Sequence, residues 1–229
     1  MHQEAHLKQP SFLKDIVIGL SDGITVPFAL TAGISGAVNN NHIIITAGIA
    51  EICAGAIAMG LGGYLAGKTE EEHYYNELNR EYQEIKNLPE IEKQEVKDVF
   101  AHYGLSKETQ DKIADELAKD EKQWAEFMMR YELGLEEPEK GRSYNSARNI
   151  ALSYIVGGAI PLLGYVFTAN PQNGLRDSSI FTILCLLLFG YFKSKVTGQN
   201  PFIGALKTTG IGILAAASAF AIAYWFNHS

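Results

Sequence analysis

Residues 43–86 contain no proline and pass without a break from an apolar run, Ile43 to Ala66, into a charged run ending at Lys86, just before Pro89. As one helix this stretch is ~66 Å long at about 1.5 Å per residue. A bilayer core takes up roughly 30 Å of that. The apolar half is therefore expected in lipid and the charged half in water. The apolar half carries an acid, Glu51, and a thioether, Met59; the charged half carries Glu81 and Glu84. A function for the chain has to account for both ends.

The charge distribution supports this division. Residues 68–144 hold 21 acids and 12 bases, a net of −9, while the rest of the chain is at +2. A water-soluble protein would mix these charges over one surface, so the segregation implies a membrane domain with an acidic insert. Such an insert repels nucleic acid and attracts cations. Cys53 and Cys185 both lie in apolar stretches, where inert core residues are expected rather than a disulfide or reactive thiol. The first apolar run is long and lacks a small-residue cleavage site, unlike a secretory signal.

In chain order, residues 1–14 form a polar lead. The first span is Ile16 to Val38, with Asp22 its one charge and Pro27 expected to kink it and free backbone carbonyls. Ile43 to Ala66 is the second span, rich in Gly and Ala that allow helices to approach closely. Gly19/Gly23 and Gly63/Gly67 have GxxxG spacing. Pro89 is expected to open a helix reaching about Tyr103 and ended by Gly104. Ser106 is expected to cap another, continuous through Trp124 to about Leu133 and ended by Gly134. Counting the stalk, the insert is then a three-helix lobe, followed by a linker at 135–144. Three further spans are expected at Asn149 to Thr168, Ser178 to Phe192 and Phe202 to Phe226.

The expected fold is thus an all-α membrane protein. It has five transmembrane helices and a three-helix metal-binding insert between the second and third. Its parts are a lead at 1–14, two spans within 15–67, the acidic insert at 68–144 and three spans within 145–229. Lys8, Lys14, Lys193, Lys195 and the bases of the insert fall on one side of the membrane and Arg176 on the other. The positive-inside rule places the N-terminus and insert in the cytosol.

Asp22 and Glu51 are the acids inside the expected spans. A charge at mid-bilayer costs roughly 2.5–3.5 kcal/mol on insertion scales, so such groups face a protein interior or a wet cavity. An ion or proton site is favoured over a structural hydrogen-bonding role. Met59 follows Glu51 by eight residues, about 80° around a helix, where it could share that face or simply pack. In the insert, Glu81/Glu84 and Glu92/Glu95 are i,i+3 pairs on either side of the Pro89 turn, and antiparallel folding would bring four carboxylates together. Met128, Met129 and Glu132 combine soft sulfur with hard oxygen, which suits a borderline transition metal better than calcium. In so Glu-rich a segment a solvated face remains the alternative. Two motif matches carry little. Gly19–Gly23 fits GxSxG but opens a span rather than a strand-to-helix turn. Glu70 and His73 fit ExxH without the second copy that a di-iron site needs.

The run SDGITVPFALTAGISGA together with AEICAGAIAMGLGGYLAGKTEEEHY resembles the vacuolar iron transporter family, and the likeness extends over nearly the whole chain. The resemblance implies a homodimer that exports Fe²⁺ from the cytosol into a vacuole, or out of a bacterium, in exchange for protons. It implies pore residues at Asp22, Glu51 and Met59. It implies cytosolic metal-binding residues at Glu81, Glu84, Glu92, Glu95, Met128, Met129 and Glu132. The expected substrate is Fe²⁺, with Mn²⁺, Zn²⁺ and Co²⁺ as alternatives. No cofactor, enzymatic activity or nucleic-acid partner is expected. The rival expectation is a membrane-anchored iron-binding or storage protein that does not transport.

Overall fold

The structure, a computed structural model, describes residues 11–228, so most of the polar lead, including Lys8, lies outside the described residues. The described chain is helical in eight segments, and five of these helices are long and apolar enough to cross a membrane. They are α1 (Ser11–Ala37), α2 (Asn41–Asn87), α6 (Arg142–Val166), α7 (Pro171–Val196) and α8 (Pro201–His228); between them lie α3 (Pro89–His102), α4 (Lys107–Leu117) and α5 (Glu121–Tyr131). The chain packs as two compact units, one holding the residues up to Tyr64 and from Ser143 onward, the other Leu65–Arg142. The long proline-free stretch is one unbroken helix, α2, of 47 residues.

In the first unit, contacts are made by small residues and by backbone. A Cβ placed on Gly23 of α1 would lie 2.7 Å from the Tyr154 Cα of α6, and one on Gly157 of α6 would lie 2.9 Å from the Ile24 nitrogen. Gly190 of α7 faces the Ala205 Cα of α8 at 2.8 Å by the same construction. Helices in lipid gain little from burying apolar surface against one another. Close backbone approach and dispersion hold them instead, and small residues make that approach possible. The outward faces stay apolar, as at Ile57, Leu61, Leu206 and Leu214, all of which are exposed.

The second unit has an apolar core of the kind found in water-soluble bundles. Ile85, Val96, Ala114, Trp124, Ala125 and Met128 form its centre, with Leu78, Tyr82 and Phe100 packed against it. Pro89 opens α3, Ser106 caps α4 by accepting from the Thr109 nitrogen, and Gly104 and Gly134 adopt positive φ, +77° and +66°, at the ends of α3 and α5. These terminators match the sequence-based expectation.

Five expectations are corrected. The helix expected from Ser106 to Leu133 is two helices, so the lobe consists of the end of α2 and three more rather than three in all. The break falls at Asp120, whose carboxylate accepts from the Lys122 and Gln123 nitrogens at 3.0 and 3.1 Å. A short acidic side chain competes for backbone donors and starts a new helix there. The fourth span, expected at Ser178 to Phe192, is longer at both ends: Asn170 caps it and Pro171 occupies its first turn, so Arg176 and Asp177 lie within the helix. The linker closes earlier than residue 144, since α6 begins at Arg142. Residues 11–14, expected in the lead, are already helical. Cys53 is not a core residue but exposed on α2, and Cys185 is half-buried.

The Gly23 contact is with backbone atoms, which no change of rotamer can move aside. Gly23→Ala should lower stability by about 1–3 kcal/mol or more, the usual range for overpacking. Gly62→Ala, which points into open space, should be neutral or stabilise by up to about 1 kcal/mol. Thermal melts of the two purified variants in the same detergent check the contrast.

Candidate functional site

The first unit brings two of the sequence-selected acids to one tyrosine. Glu51 is half-buried on α2 and accepts a hydrogen bond from the Tyr154 hydroxyl at 2.5 Å. Its second oxygen, Oε2, is shielded from solvent and has no hydrogen-bond partner. Asp22, half-buried on α1, lies within electrostatic range of the Tyr154 hydroxyl. Gly55, one turn along α2 from Glu51, leaves the space that the Tyr154 ring fills, because a Cβ there would lie 2.5 Å from the ring carbons. Met59 is half-buried two turns beyond Glu51.

Sequence reasoning missed two residues here. Tyr154 lies in a span chosen for its lack of charge, yet a tyrosine in an apolar run carries a polar tip that needs a partner when buried. Asp15 fell at the boundary of the polar lead, but it is 1% exposed, and it accepts from Ser146 Oγ at 3.0 Å and Asn149 Nδ2 at 3.5 Å. Its position seven residues before Asp22, two helical turns away on the same face, was the available signal.

The second unit gathers carboxylates. Glu81 on α2 and Glu92 on α3 are each only 3% exposed, and each has an Oε2 without a hydrogen-bond partner. Glu84, Glu95 and Glu132 lie within electrostatic range of both. Glu84 is engaged by Arg80 at 3.1 Å, and Arg80 also reaches Glu77 at 3.5 Å. Glu132 stands exposed at the end of α5. Met128 is fully buried in the apolar core and Met129 is 1% exposed. Among the described residues, no three His, Cys, Asp or Glu side chains are already arranged to hold a metal ion.

The model of the VIT family matches residues 13–224. The chain belongs to the VIT family. It is 48% identical over 222 residues to Vacuolar iron transporter 2 of Oryza sativa subsp. japonica, covering 97% of this chain and 90% of that protein. It is 46% identical over 227 residues to Vacuolar iron transporter 1 of Arabidopsis thaliana, with 99% and 91% coverage. It is 36% identical over 220 residues to Protein CCC1 of Saccharomyces cerevisiae, with 95% and 68% coverage. Family membership puts the chain among transporters, not enzymes, and with its five apolar helices makes it an integral membrane protein.

The acidic unit of this VIT-family chain is under electrostatic strain. Burial, followed by repulsion from neighbouring carboxylates, pushes both Glu81 and Glu92 up to about 7. Glu132, exposed as a residue, is also raised, by partial desolvation of its carboxyl group and then by Glu95 and Glu84. In the unfolded chain these groups titrate near 4.5. Protonated Glu81 and Glu92 therefore favour the folded state fully below that value, and the stabilisation is lost as pH rises through about 7. A divalent cation offsets the same repulsion, and it must displace any protons the carboxylates hold.

Metal-free protein should lose stability in its acidic unit between pH 5 and 7.5, whereas Glu81→Gln flattens the loss. Its affinity for Co²⁺ should rise over the same interval, by about tenfold per pH unit for each proton displaced. Hydrogen exchange over residues 65–142 and calorimetry on the whole chain measure the two effects. Met128→Ala removes a core side chain and should cost about 2–5 kcal/mol, so Met128→Leu is the informative variant. It keeps the volume, and a fall in Co²⁺ affinity with an unchanged melting temperature would reveal a sulfur ligand.

Proposed function

We propose that the chain is a homodimeric, proton-coupled Fe²⁺ transporter that moves ferrous iron out of the cytosol, into a vacuole in a eukaryote or out of the cell in a bacterium. The names of its relatives support iron as the cargo. The observation that carries the reading is Glu51, a carboxylate among apolar helices with one oxygen bonded to Tyr154 and the other unsatisfied.

In this reading the acidic unit captures metal from the cytosol. Glu81, Glu84, Glu92, Glu95 and Glu132 supply oxygen, and Met128 and Met129 supply sulfur. The negative field of the unit raises the local cation concentration. Asp22, Glu51 and Met59 carry the ion across the membrane. The coupling follows from the chemistry of carboxylates, since an oxygen that holds a proton cannot hold the metal. Protons arriving from an acidic far side neutralise Asp22 and Glu51 and release the cation. Return of those protons to the cytosol resets the acids. Mn²⁺, Zn²⁺ and Co²⁺ are the alternative cargoes, because these donors bind them too and selectivity among such ions rests on geometry and metal availability. A storage protein would leave the two intramembrane acids without a purpose.

Asp22→Ala and Glu51→Ala should each reduce Fe²⁺ uptake into proteoliposomes under a pH gradient to background, while metal binding by the acidic unit persists. Uptake at the wild-type rate in both variants would exclude these acids from the path, and uptake insensitive to the gradient would exclude proton coupling.

A further inference from the structure

A groove of about 290 Å³ runs between α1 and α7. Ile16, Val17 and Leu20 form one wall and Phe189, Phe192 and Val196 the other, with Lys14 and Lys193 also on its lining. Lys193 also borders a second hollow, of about 370 Å³, whose lining mixes polar and apolar atoms and includes Ser194, Thr197, Asn200 and Lys207. An apolar slot and a basic hollow therefore share one lysine. Among the described residues, no carboxylate forms an ion pair with Lys14, Lys193 or Lys207. The acid next in sequence, Asp15, is buried and accepts from Ser146 and Asn149. Asn200 Oδ1 accepts from the first backbone donors of α8, Phe202 and Ile203, so those two amides are already engaged.

We propose that this place is a binding site for an anionic phospholipid, with an acyl chain in the α1–α7 groove and the phosphate headgroup held by Lys14, Lys193 and Lys207. Charge complementarity selects the occupant. A zwitterionic lipid would bring its own cation to three lysines, and a free anion would leave the apolar slot unfilled. Lysines at the ends of membrane helices extend their ammonium groups to headgroup level while their stems lie on apolar surface. Basic pockets between spanning helices are recurrent sites for acidic headgroups. The proposal is independent of the metal carried and of proton coupling.

Native mass spectrometry on the full chain in detergent tests it, with phosphatidylserine or phosphatidylcholine of identical acyl chains as the titrated lipid. One phosphatidylserine per chain should be retained in preference to phosphatidylcholine. Lys14→Gln, Lys193→Gln and Lys207→Gln should each weaken retention by about fivefold, equivalent to about 1 kcal/mol per lysine near a headgroup. Lys193→Arg should preserve it, and thermal melts should show all variants folded. Millimolar inorganic phosphate should leave the lipid in place. Equal retention of both lipids, or full retention by the Lys14→Gln/Lys193→Gln double variant, overturns the proposal. Displacement by phosphate alone would make the hollow a free-anion site. Lipid loss that occurs only together with dissociation of a dimer would make the groove an interface between copies.

Discussion

Tyr154 can reach Glu51 only because glycines on two other helices make room for it. Gly23 lets the backbone of α6 come against α1 at the level of Tyr154, and Gly55 vacates the space on α2 that the ring then fills. Any side chain at either position would push the tyrosine away from the carboxylate. In a soluble protein such packing would be one contribution beside hydrophobic burial. In lipid that driving force between helices is nearly absent, so close approach both holds the unit together and sets the polar contact within it. The small-residue pattern and the placement of the acids are two aspects of one arrangement.

The acidic unit solves the opposite problem. Water provides its driving force, and a core around Trp124 and Met128 holds its helices in place. That rigidity fixes Glu81 and Glu92 in buried positions with oxygens left unpaired. A looser lobe would let the carboxylates separate into solvent, where like charges are screened. Rigid packing thus maintains a concentration of negative charge that a cation relieves, and Arg80 already neutralises part of it at Glu84.

Much of this was legible in the sequence because its signals are strong. Five apolar runs of spanning length, the continuity of α2, and the terminators Pro89, Gly104, Ser106 and Gly134 all rest on local chemistry. The division of α4 from α5 was harder to see. In a run so rich in acids Asp120 carries no mark of its own, and only the geometry distinguishes a capping aspartate from a solvated one. Tyr154 and Asp15 were harder to see for a different reason. Their significance lies in partners more than 100 residues away, and a sequence scanned for charges inside spans passes over a neutral phenol and an acid at a helix end. The clustering of Glu81, Glu84, Glu92 and Glu95 was accessible from i,i+3 spacing and the intervening turn. The burial of Glu81 and Glu92 was not, since it depends on packing within the lobe.

Asp15 provides an internal comparison for the other acids. It is 1% exposed, and both of its oxygens accept hydrogen bonds from α6 side chains. That is how a structural carboxylate behaves, because an unpaired buried oxygen costs about 1–3 kcal/mol or more. Glu51, Glu81 and Glu92 differ from it in the same respect: each retains an oxygen that is shielded from water and bonded to nothing. The first belongs to a unit of apolar helices and the other two to a water-exposed lobe, so neither a shared environment nor a shared neighbour explains the repetition. A chain that needed these acids only for cohesion could satisfy them as it satisfies Asp15. An oxygen left open in both settings accords with the proposed handling of a cation, or of the proton that replaces it.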